Sequence, residues 1–501
     1  MSKTSVTGAL IALDIDRSLD VPIYLQIVQR LREAIRAGQL AAGLKLPSTR
    51  ILARELGVSR NTVLRVFEML TGEGVLFGHV GSGTFVARAG DDAQVPPPPP
   101  DGTKDRYPFR SLSHHGSALI ATATGVFSER PIPFMPDLPD LREFPIRTWL
   151  RLLNETSGRL TGQILADSPN AGYEPLRRAV AHYLNASRQM VCSYKQVIIT
   201  TGSQQSLDLV CRLLIDPGDP VWLEEPGYVG AQALVSANGG VIHSIPVDDE
   251  GILVQEALET RPAPRLIYIS ASRHYPLGPT LSMRRRAEIL QLSRNCGAWI
   301  VEDDYDHEFR YAGASPPALF GLDGEGRTIH IGTFSKTLLP SFRLGYVVVP
   351  EDFADAFAKA RAIIDRHASL IEQMVLSEFM HRGLFAAHIR RMRGLYRARQ
   401  QHLIAGLRDL YGPDLVVGAT DTGMHVLVPL TAAADDRGIA LRMAQAGVMA
   451  RPLSPYYAGP TRSRGLLFGF AAFTGGEIAQ GLSRLSRLSG EIGPLVVRSP
   501  G

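Results

Sequence analysis

One lysine among small hydroxyl side chains is the strongest candidate for covalent chemistry in this chain of 501 residues. It is Lys336, within residues 332–346 (GTFSKTLLPSFRLGY), where an apolar run predicts a strand that ends shortly before it. A lysine in this setting can form a Schiff base with an aldehyde cofactor. The neighbouring Thr333, Ser335 and Arg343 could bind the phosphate of such a cofactor, since arginine offers a phosphate two parallel hydrogen bonds.

Carboxylates follow a second apolar run, at residues 300–306 (IVEDDYD). Ligands of open α/β sheets bind at the carboxyl ends of the strands. A carboxylate beside a pyridine nitrogen keeps that nitrogen protonated, which makes the ring an electron sink. Tyr305, in the same stretch, could form a hydrogen bond with a phenolic oxygen on the ring. These residue types therefore suit a pyridoxal-like cofactor.

Two further predicted strand ends carry residues that suit the same cofactor. Residues 201–207 (TGSQQSL) join a strand to a helix, and the N-terminus of a helix binds phosphate well. Residues 224–228 (EEPGY) place Tyr228 where its ring could stack on another ring. Each piece has an ordinary alternative, because Lys336 could be a surface lysine and Asp303 a helix cap. Four such pieces at successive strand ends favour one shared site.

The elements that must position these residues alternate between strands and helices. Helical patterns lie at 203–214 and 282–294, and a strongly helical stretch covers about 352–410. The alternation predicts an α/β fold with a mostly parallel or mixed sheet, followed by a smaller α+β part. The apolar runs expected to form strands are 196–201, 220–224, 241–246, 265–270, 298–303 and 328–332.

The N-terminal segment has a different pattern, which predicts three helices and a β-hairpin. An apolar stripe from residue 24 to residue 35 marks the first helix. Ser48 can cap a second helix over about 49–56, and Ser59 can cap a third. A second helix with a polar, basic start, placed after a tight turn, is typical of a helix-turn-helix that reads the major groove. Residues 74–86 then predict a glycine-rich β-wing.

The charge of this segment indicates a polyanionic partner. Residues 21–89 hold nine Lys/Arg against four Asp/Glu, a net charge of +5, whereas the whole chain carries +4. The three cysteines, Cys192, Cys211 and Cys296, are too scattered for a zinc site or a disulfide framework. The sequence has no signal-peptide pattern and no apolar run long enough for a membrane span, so we expect a cytoplasmic protein.

Composition also predicts the domain boundaries. Five consecutive prolines at 96–100 favour an extended polyproline spacer, which neither a helix nor a central strand accommodates. We therefore expect a DNA-binding domain over 21–89, a proline-rich linker over 90–115 and a ligand-binding domain over 116–495.

The N-terminal segment resembles the winged helix-turn-helix domain of GntR-type regulators. The matching phrases stand in that family's order at residues 22–26, 46–50, 59–63 and 81–86. A three-helix protein–protein module with solvated charges is the alternative, and the serines before the helices could serve only as caps. The resemblance implies binding to double-stranded DNA. The residues expected to contact DNA are Ser48, Arg50, Arg60, Asn61, Thr62 and Arg65 in the helices, with Gly81 and Gly83 in the wing.

The larger part, about residues 138–485, resembles fold-type I aminotransferases, and specifically the MocR/GabR group of regulators. The resemblance implies pyridoxal 5'-phosphate as the cofactor, and it implies a role for each residue of the four motifs. Lys336 would form the Schiff base, and Asp303 would face the pyridine nitrogen. Tyr305 would face the phenolic oxygen, and Tyr228 would stack on the ring. The phosphate would be held by Ser203, Gln204, Thr333, Ser335 and Arg343.

Within residues 273–278 (RHYPLG) this chain departs from the catalytic aminotransferases. Tyr275 stands where those enzymes usually carry an asparagine that touches the phenolic oxygen, which makes Tyr275 a further candidate cofactor contact. Arg451 and Arg464 are candidates for binding a carboxylate of an effector.

Together the two resemblances imply a transcription regulator that binds pyridoxal phosphate on Lys336 and senses an amino compound or a form of vitamin B6. Proteins of this group usually form head-to-tail homodimers, and basic heads on a dimer would read two half-sites. Two other functions stay open on the sequence. The chain could be a catalytically active aminotransferase with an appended DNA module, or a binding protein whose cofactor site is inactive.

Overall fold

The computed structural model describes most of the chain, in two compact units, residues 1–110 and 111–501. The residues described are 16, 21–79, 83–87, 112–113, 116–117, 120, 131–158, 160, 169–418 and 420–488. Residues 90–111 of the predicted linker lie outside this set, as does Gly81 of the predicted wing. Among the helices of the described residues, none combines the length and the apolar character needed to cross a membrane.

The first unit is a three-helix domain with a β-hairpin. Ser48 and Ser59 accept hydrogen bonds from the backbone N–H groups of Ile51 and Thr62, so each serine starts a helix as expected. The second helix ends at Glu55, one residue before the predicted end. The elements are α1 (Ile23–Arg36), α2 (Thr49–Glu55), α3 (Arg60–Gly72), β1 (Leu76–His79) and β2 (Gly83–Val86), packed around Ile27, Leu31, Leu52, Val66 and Leu70.

The second unit is built on a mixed eight-stranded sheet, which confirms the predicted α/β class. The strands follow the order β3-β10-β9-β8-β7-β4-β5-β6. Neighbours from β9 to β5 are parallel, while β10 is antiparallel to both β3 and β9. The strands are β3 (Val197–Thr200), β4 (Pro220–Glu225), β5 (Val241–Asp248), β6 (Gly251–Ile252), β7 (Leu266–Ile269), β8 (Trp299–Asp304), β9 (Thr328–Thr333) and β10 (Gly345–Val348).

Helices cover this sheet and connect its strands. The predicted helices at 203–214 and 282–294 are present, the second shifted by one or two residues at its ends. The α-helices, in chain order, are α4 (Ile146–Ser157), α5 (Glu174–Arg188), α6 (Ser203–Leu214), α7 (Val229–Ala237), α8 (Val254–Thr260), α9 (Met283–Cys296), α10 (Leu319–Leu322), α11 (Ala354–Ile364), α12 (Leu370–His381) and α13 (Leu384–Tyr411).

A smaller α+β part follows, as the sequence predicts. A three-stranded antiparallel sheet of order β11-β13-β12 packs with two helices and with the second half of α13. The segment before α4 joins the same core, because Phe134 is fully buried against Phe468. The elements are β11 (His425–Leu430), α14 (Asp436–Gln445), β12 (Arg451–Pro452), β13 (Arg464–Gly469) and α15 (Gly475–Arg487).

Strand β8 ends in the three consecutive buried carboxylates Glu302, Asp303 and Asp304. Because side chains alternate along a strand, the first and third face one side of the sheet and the second faces the other. On the first side Arg188 donates to Asp304 at 2.7 Å, with both side chains fully buried. His330, on β9, lies 3.1 Å from Glu302. The ion pair therefore fixes the end of β8, where Asp303 must be positioned.

We predict that Arg188→Met lowers the free energy of unfolding of the second unit by about 3–5 kcal/mol, because it removes the arginine from the buried Asp304 carboxylate and leaves His307 as its nearest partner. Denaturant unfolding followed by tryptophan fluorescence would measure the change. Arg178→Met, on the same helix, is the matched control, since Arg178 pairs with Glu174 at the exposed surface. Equal effects of the two substitutions would contradict the role given to the buried pair.

Candidate functional site

The N-terminus of α6 forms an anion-binding cradle with Arg343. Gly202 precedes the helix with a φ of +131°, and the guanidinium of Arg343 lies 3.6 Å from the position that a Cβ on Gly202 would take. A Cβ on Gly345 would come within 2.8 Å of the Gly202 Cα, so this close approach requires glycine. Among the residues that the structure describes, no carboxylate pairs with Arg343. Free N–H groups beside an unpaired arginine suit a phosphate.

Three hydroxyl residues predicted to hold the phosphate lie beside this cradle. Ser203 is the first residue of α6, after Gly202. Thr333 is the last residue of strand β9, and it lies opposite Gly345 of the antiparallel strand β10. The Thr333 hydroxyl accepts a hydrogen bond from the Ser335 backbone N–H at 3.1 Å. This bond orders the turn that leads from β9 to Lys336.

Tyr228 stands at the end of β4 and is fixed by α6. Its hydroxyl accepts a hydrogen bond from the side-chain amide of Gln204. Gly230 makes room for this pair, since a Cβ there would overlap both the amide and the tyrosine ring. Burial, with the nearby charge of Asp303, raises the pKa of Tyr228 to about 12, so the phenol stays neutral. Gln204 and Tyr228, predicted from separate motifs, thus form a hydrogen-bonded pair.

Asp303 provides a buried acceptor that the described residues leave partly unused. Its Oδ2 accepts a hydrogen bond from the Tyr268 hydroxyl at 2.6 Å. Its Oδ1 is buried and has no hydrogen-bond partner in the described part of the chain. Burial and the charge of Asp304 raise the pKa of Asp303 to about 6. A buried carboxylate oxygen without a partner is costly, and a protonated ring nitrogen is a suitable partner for it.

Lys336 follows β9 and lies in the same region. Its Nζ donates a hydrogen bond to the backbone oxygen of Asp137 at 2.9 Å. The positive charge of Lys336 is near enough to influence the pKa values of both Asp303 and Asp137. An amine, a buried acceptor and an anion cradle are what pyridoxal phosphate needs, and the residues present fit it.

Tyr305 and Tyr275 pack at right angles, with ring centroids 5.7 Å apart. The Tyr305 hydroxyl accepts a hydrogen bond from Arg273 at 3.1 Å, and burial raises the pKa of this tyrosine well above its usual value. The Tyr275 hydroxyl instead donates to the Asp137 carboxylate at 2.8 Å. The Tyr275 hydroxyl, predicted to contact the cofactor, is thus bonded to Asp137 of the protein.

Asp137 lies beside Lys336 and Tyr275, although the sequence analysis did not select it. It has a φ of +68°, in the left-handed region that favours glycine. Its Oδ2 accepts a hydrogen bond from Arg451 at 2.6 Å, and its Oδ1 lies 3.4 Å from His425 Nδ1. Burial opposes ionisation of this carboxyl, but the charge of Lys336, the contact with His425 and the charge of Arg451 hold its pKa well below the usual range.

The two arginines considered for an effector carboxylate have different surroundings. Arg451 is paired with Asp137, whose backbone oxygen is bonded to Lys336. Arg464 is paired with Asp436, at 3.3 Å, within the small α+β part. Both guanidinium groups are thus already opposed by a carboxylate of the protein.

The structure places the predicted cofactor residues at the carboxyl ends of the strands, in the segments that follow them, or in the first turn of α6. This edge of the sheet carries the ends of β3, β4, β7, β8 and β9. The residues gathered there are Ser203, Gln204, Tyr228, Tyr275, Asp303, Tyr305, Thr333, Ser335, Lys336 and Arg343.

In the first unit, the predicted DNA contacts cluster around the starts of α2 and α3. Their side chains are exposed, except for Thr62, which is half-buried and bonded to Ser59 at 2.8 Å. Arg65 stacks on the ring of Tyr24, 4.0 Å from its centroid, which fixes the direction of the guanidinium. The exposed residues are Ser48, Arg50, Arg60, Asn61, Arg65 and, in the hairpin, Gly83.

Lys45 adds a basic residue to the wing that the sequence analysis did not select. Gly83 has a φ of +106°, and a Cβ there would meet the Lys45 side chain at 2.8 Å. Lys45 also lies over the Phe85 ring, 5.7 Å from its centroid. Glycine at residue 83 therefore lets a lysine lie across the hairpin, which places a positive charge on the wing.

Comparison with known proteins matches both units. Residues 23–86 match the bacterial regulatory proteins of the gntR family, and residues 138–485 match aminotransferase class I and II. The probable rhizopine catabolism regulatory protein MocR of Rhizobium meliloti is 38% identical, over 94% of this chain and 95% of that protein. The HTH-type transcriptional regulator TauR of Rhodobacter capsulatus is 31% identical, over 92% and 95%.

Among solved structures, the α-aminoadipate aminotransferase LysN of Thermus thermophilus, complexed with N-(5'-phosphopyridoxyl)-L-leucine, matches with a TM-score of 0.66. It is 29% identical and covers 73% of this chain and 93% of its own. The second unit thus has the fold of the pyridoxal-phosphate aminotransferases, and its cofactor is pyridoxal phosphate. The chain belongs to the MocR-type transcription regulators, which join a gntR-family DNA-binding domain to an aminotransferase class I and II domain.

Proposed function

We propose that the second unit binds pyridoxal phosphate on Lys336 and uses it to sense an amino compound or a vitamin B6 form. The unpartnered Oδ1 of Asp303, close to Lys336, is the observation that carries this proposal. Pyridoxal phosphate, when bound, supplies an aldehyde carbon that combines reversibly with amines. Asp303 would hold a proton on the ring nitrogen, and Tyr305 would face the ring oxygen.

The other predicted residues would hold the ring and the phosphate of the cofactor. Tyr228, fixed by Gln204, would limit how the ring can tilt, and Tyr275 would stand at the ring-oxygen side. Arg343, Ser203, Thr333 and Ser335 would hold the phosphate at the start of α6, where the helix dipole favours an anion.

For the first unit we propose that Arg60, Asn61 and Thr62 enter the major groove of an operator, since they begin the second helix of the helix-turn-helix. Ser48, Arg50 and Arg65 would contact the phosphate backbone, with Gly81 and Gly83 at the wing. We further propose a cytoplasmic head-to-tail homodimer that reads two half-sites, with a DNA-binding domain over 21–89, a linker over 90–115 and an effector domain over 116–495.

A second candidate function, transamination, is favoured by one specific observation. The 2-aminoadipate transaminase of Thermus thermophilus is 30% identical over 64% of this chain and 80% of that protein. A lysine and an aspartate in the positions of Lys336 and Asp303 would also serve that reaction. The two functions differ in turnover: an enzyme converts many equivalents of an amino donor and a keto acid, whereas a sensor stops at binding. Multiple turnovers without any effect of the donor on DNA binding would favour the enzyme.

We predict that Lys336→Ala abolishes the visible absorption band that the protein shows with its cofactor, because the only amine proposed to hold the aldehyde is gone. Reduction with borohydride and mass spectrometry would then find the cofactor on Lys336 of the unaltered protein alone. Lys359→Ala is the matched control, since Lys359 is an exposed lysine on α11 paired with Asp355.

Circular dichroism checks that the Lys336→Ala protein remains folded. A band that persists in this folded variant would contradict the assignment of the lysine. Absence of a band from the unaltered protein in excess cofactor would favour a binding protein with an inactive site.

We predict that Arg60→Ala weakens binding to an operator, selected by the unaltered protein from random duplexes, by about 1–3 kcal/mol, or roughly 5- to 150-fold. The reason is the loss of a cation at the start of the recognition helix. Titrations at several salt concentrations would measure the affinity, with cofactor absorption followed in parallel. The control is Arg30→Ala, an exposed arginine on α1 that is paired with Glu33. Equal loss in both variants would remove Arg60 from the proposed base contacts.

A further inference from the structure

Two arginines near Asp137 already face a carboxylate of the protein. Arg451 is bonded to Asp137 at 2.6 Å. Arg273 is buried, and its guanidinium lies 3.5 Å from the Asp306 carboxylate. Because each cation already faces a carboxylate of the chain, neither is free to bind a carboxylate of a ligand without breaking an ion pair.

The carboxylate of Asp137 is held firmly in this place. Tyr275 and Arg451 bond its Oδ2 at 2.8 and 2.6 Å, and only 14% of its side chain is exposed. A non-glycine residue at a φ of +68° persists only where its surroundings fix it. The hydrogen bond from Lys336 to the Asp137 backbone oxygen places this fixed negative charge next to the amine.

Besides Arg451, the groups around this carboxylate are hydroxyls and a neutral ring. The hydroxyls of Tyr275 and Tyr456 lie 3.0 Å apart, and burial raises the pKa of both above the usual value. Burial and the charge of Arg273 lower the pKa of His425, so its ring is neutral at pH 7. Close to Lys336, the described residues thus offer the ion pair of Asp137 with Arg451 and several neutral hydrogen-bonding groups.

We propose that Asp137 determines effector selectivity and that the site accepts primary amines that carry hydroxyl groups and no carboxylate. The proposal rests on the proposed binding of pyridoxal phosphate to Lys336. Hydroxyl groups of an incoming amine can exchange hydrogen bonds with Asp137 and the two tyrosines. A ligand carboxylate would instead meet the like charge of Asp137 and an arginine that is already paired, which disfavours its binding.

The experiment compares two amines that differ in one group, 3-amino-1-propanol and 3-aminopropanoate. Full-length protein loaded with pyridoxal phosphate is titrated with each amine, and the visible absorption of the cofactor and the affinity for operator DNA are followed together. We expect a half-maximal spectral change at a concentration at least roughly tenfold lower for the alcohol than for the acid. We also expect only the alcohol to change the affinity for DNA at low concentration.

Asp137→Gly is the test variant, because glycine takes a φ of +68° without strain and the substitution removes the carboxylate with its Cβ. The expected result is loss or reversal of the preference, since Arg451 is then free to pair with 3-aminopropanoate. Asp137→Asn keeps the side-chain shape and should also reduce the preference. The control is Asp249→Gly, an exposed residue in the turn after β5, which should leave the preference unchanged.

The outcomes separate this proposal from the function on which it rests. If loaded protein shows no cofactor band before any amine is added, the assignment of Lys336 fails, whatever the role of Asp137. If the band is present and the acid acts at the same concentration as the alcohol, the selectivity proposal is wrong. The selectivity proposal is also wrong if the alcohol changes neither the spectrum nor the affinity for DNA. It is equally wrong if both Asp137 variants keep the preference for the alcohol.

Discussion

Burial of three adjacent carboxylates at the end of β8 is the constraint on which the cofactor site depends. Desolvating a charge is costly unless a partner compensates it, so Glu302, Asp303 and Asp304 each require one. The alternation of the strand sends the outer two to Arg188 and His330 on one side of the sheet. The middle carboxylate faces the site, and among the described residues its one hydrogen-bond partner is the Tyr268 hydroxyl. A cationic ring nitrogen would provide a partner for its second oxygen.

Much of the fold could be predicted from the sequence, because its determinants are local. Ser48 and Ser59 act as caps through hydrogen bonds that span three residues, so the serine and the following pattern suffice to place each helix start. The turn between β3 and α6 is equally local, since Gly202 supplies the unusual φ and the next residues start a helix. The predicted end of the second helix lies one residue beyond Glu55, because helix ends fray and depend on packing.

The part of the site that could not be predicted depends on contacts between distant residues. Lys336 and Asp137 are 199 positions apart, and Arg451 and Asp137 are 314 apart. A lone aspartate between proline and leucine gives no periodicity, motif or spacing that would mark it. Its φ of +68°, the strongest sign of a special role, is visible only in the folded backbone. Motifs could therefore identify the residues that follow each strand, but not Asp137 and Arg451, which come from distant parts of the chain.

The position of Asp137 also has a bearing on regulation. A ligand shifts an equilibrium only to the extent that it binds one state better than another, so it must contact an element that differs between states. Asp137 belongs to the segment 131–140, which precedes α4 within the second unit. Close to Asp137, this segment is held in place by Phe134. The Phe134 backbone oxygen accepts a hydrogen bond from Gly469, and its side chain is buried in the core of the small α+β part. An effector that contacts Asp137 therefore acts on a segment packed into the small α+β part, whereas one that contacts only Tyr228 acts on the edge of the eight-stranded sheet.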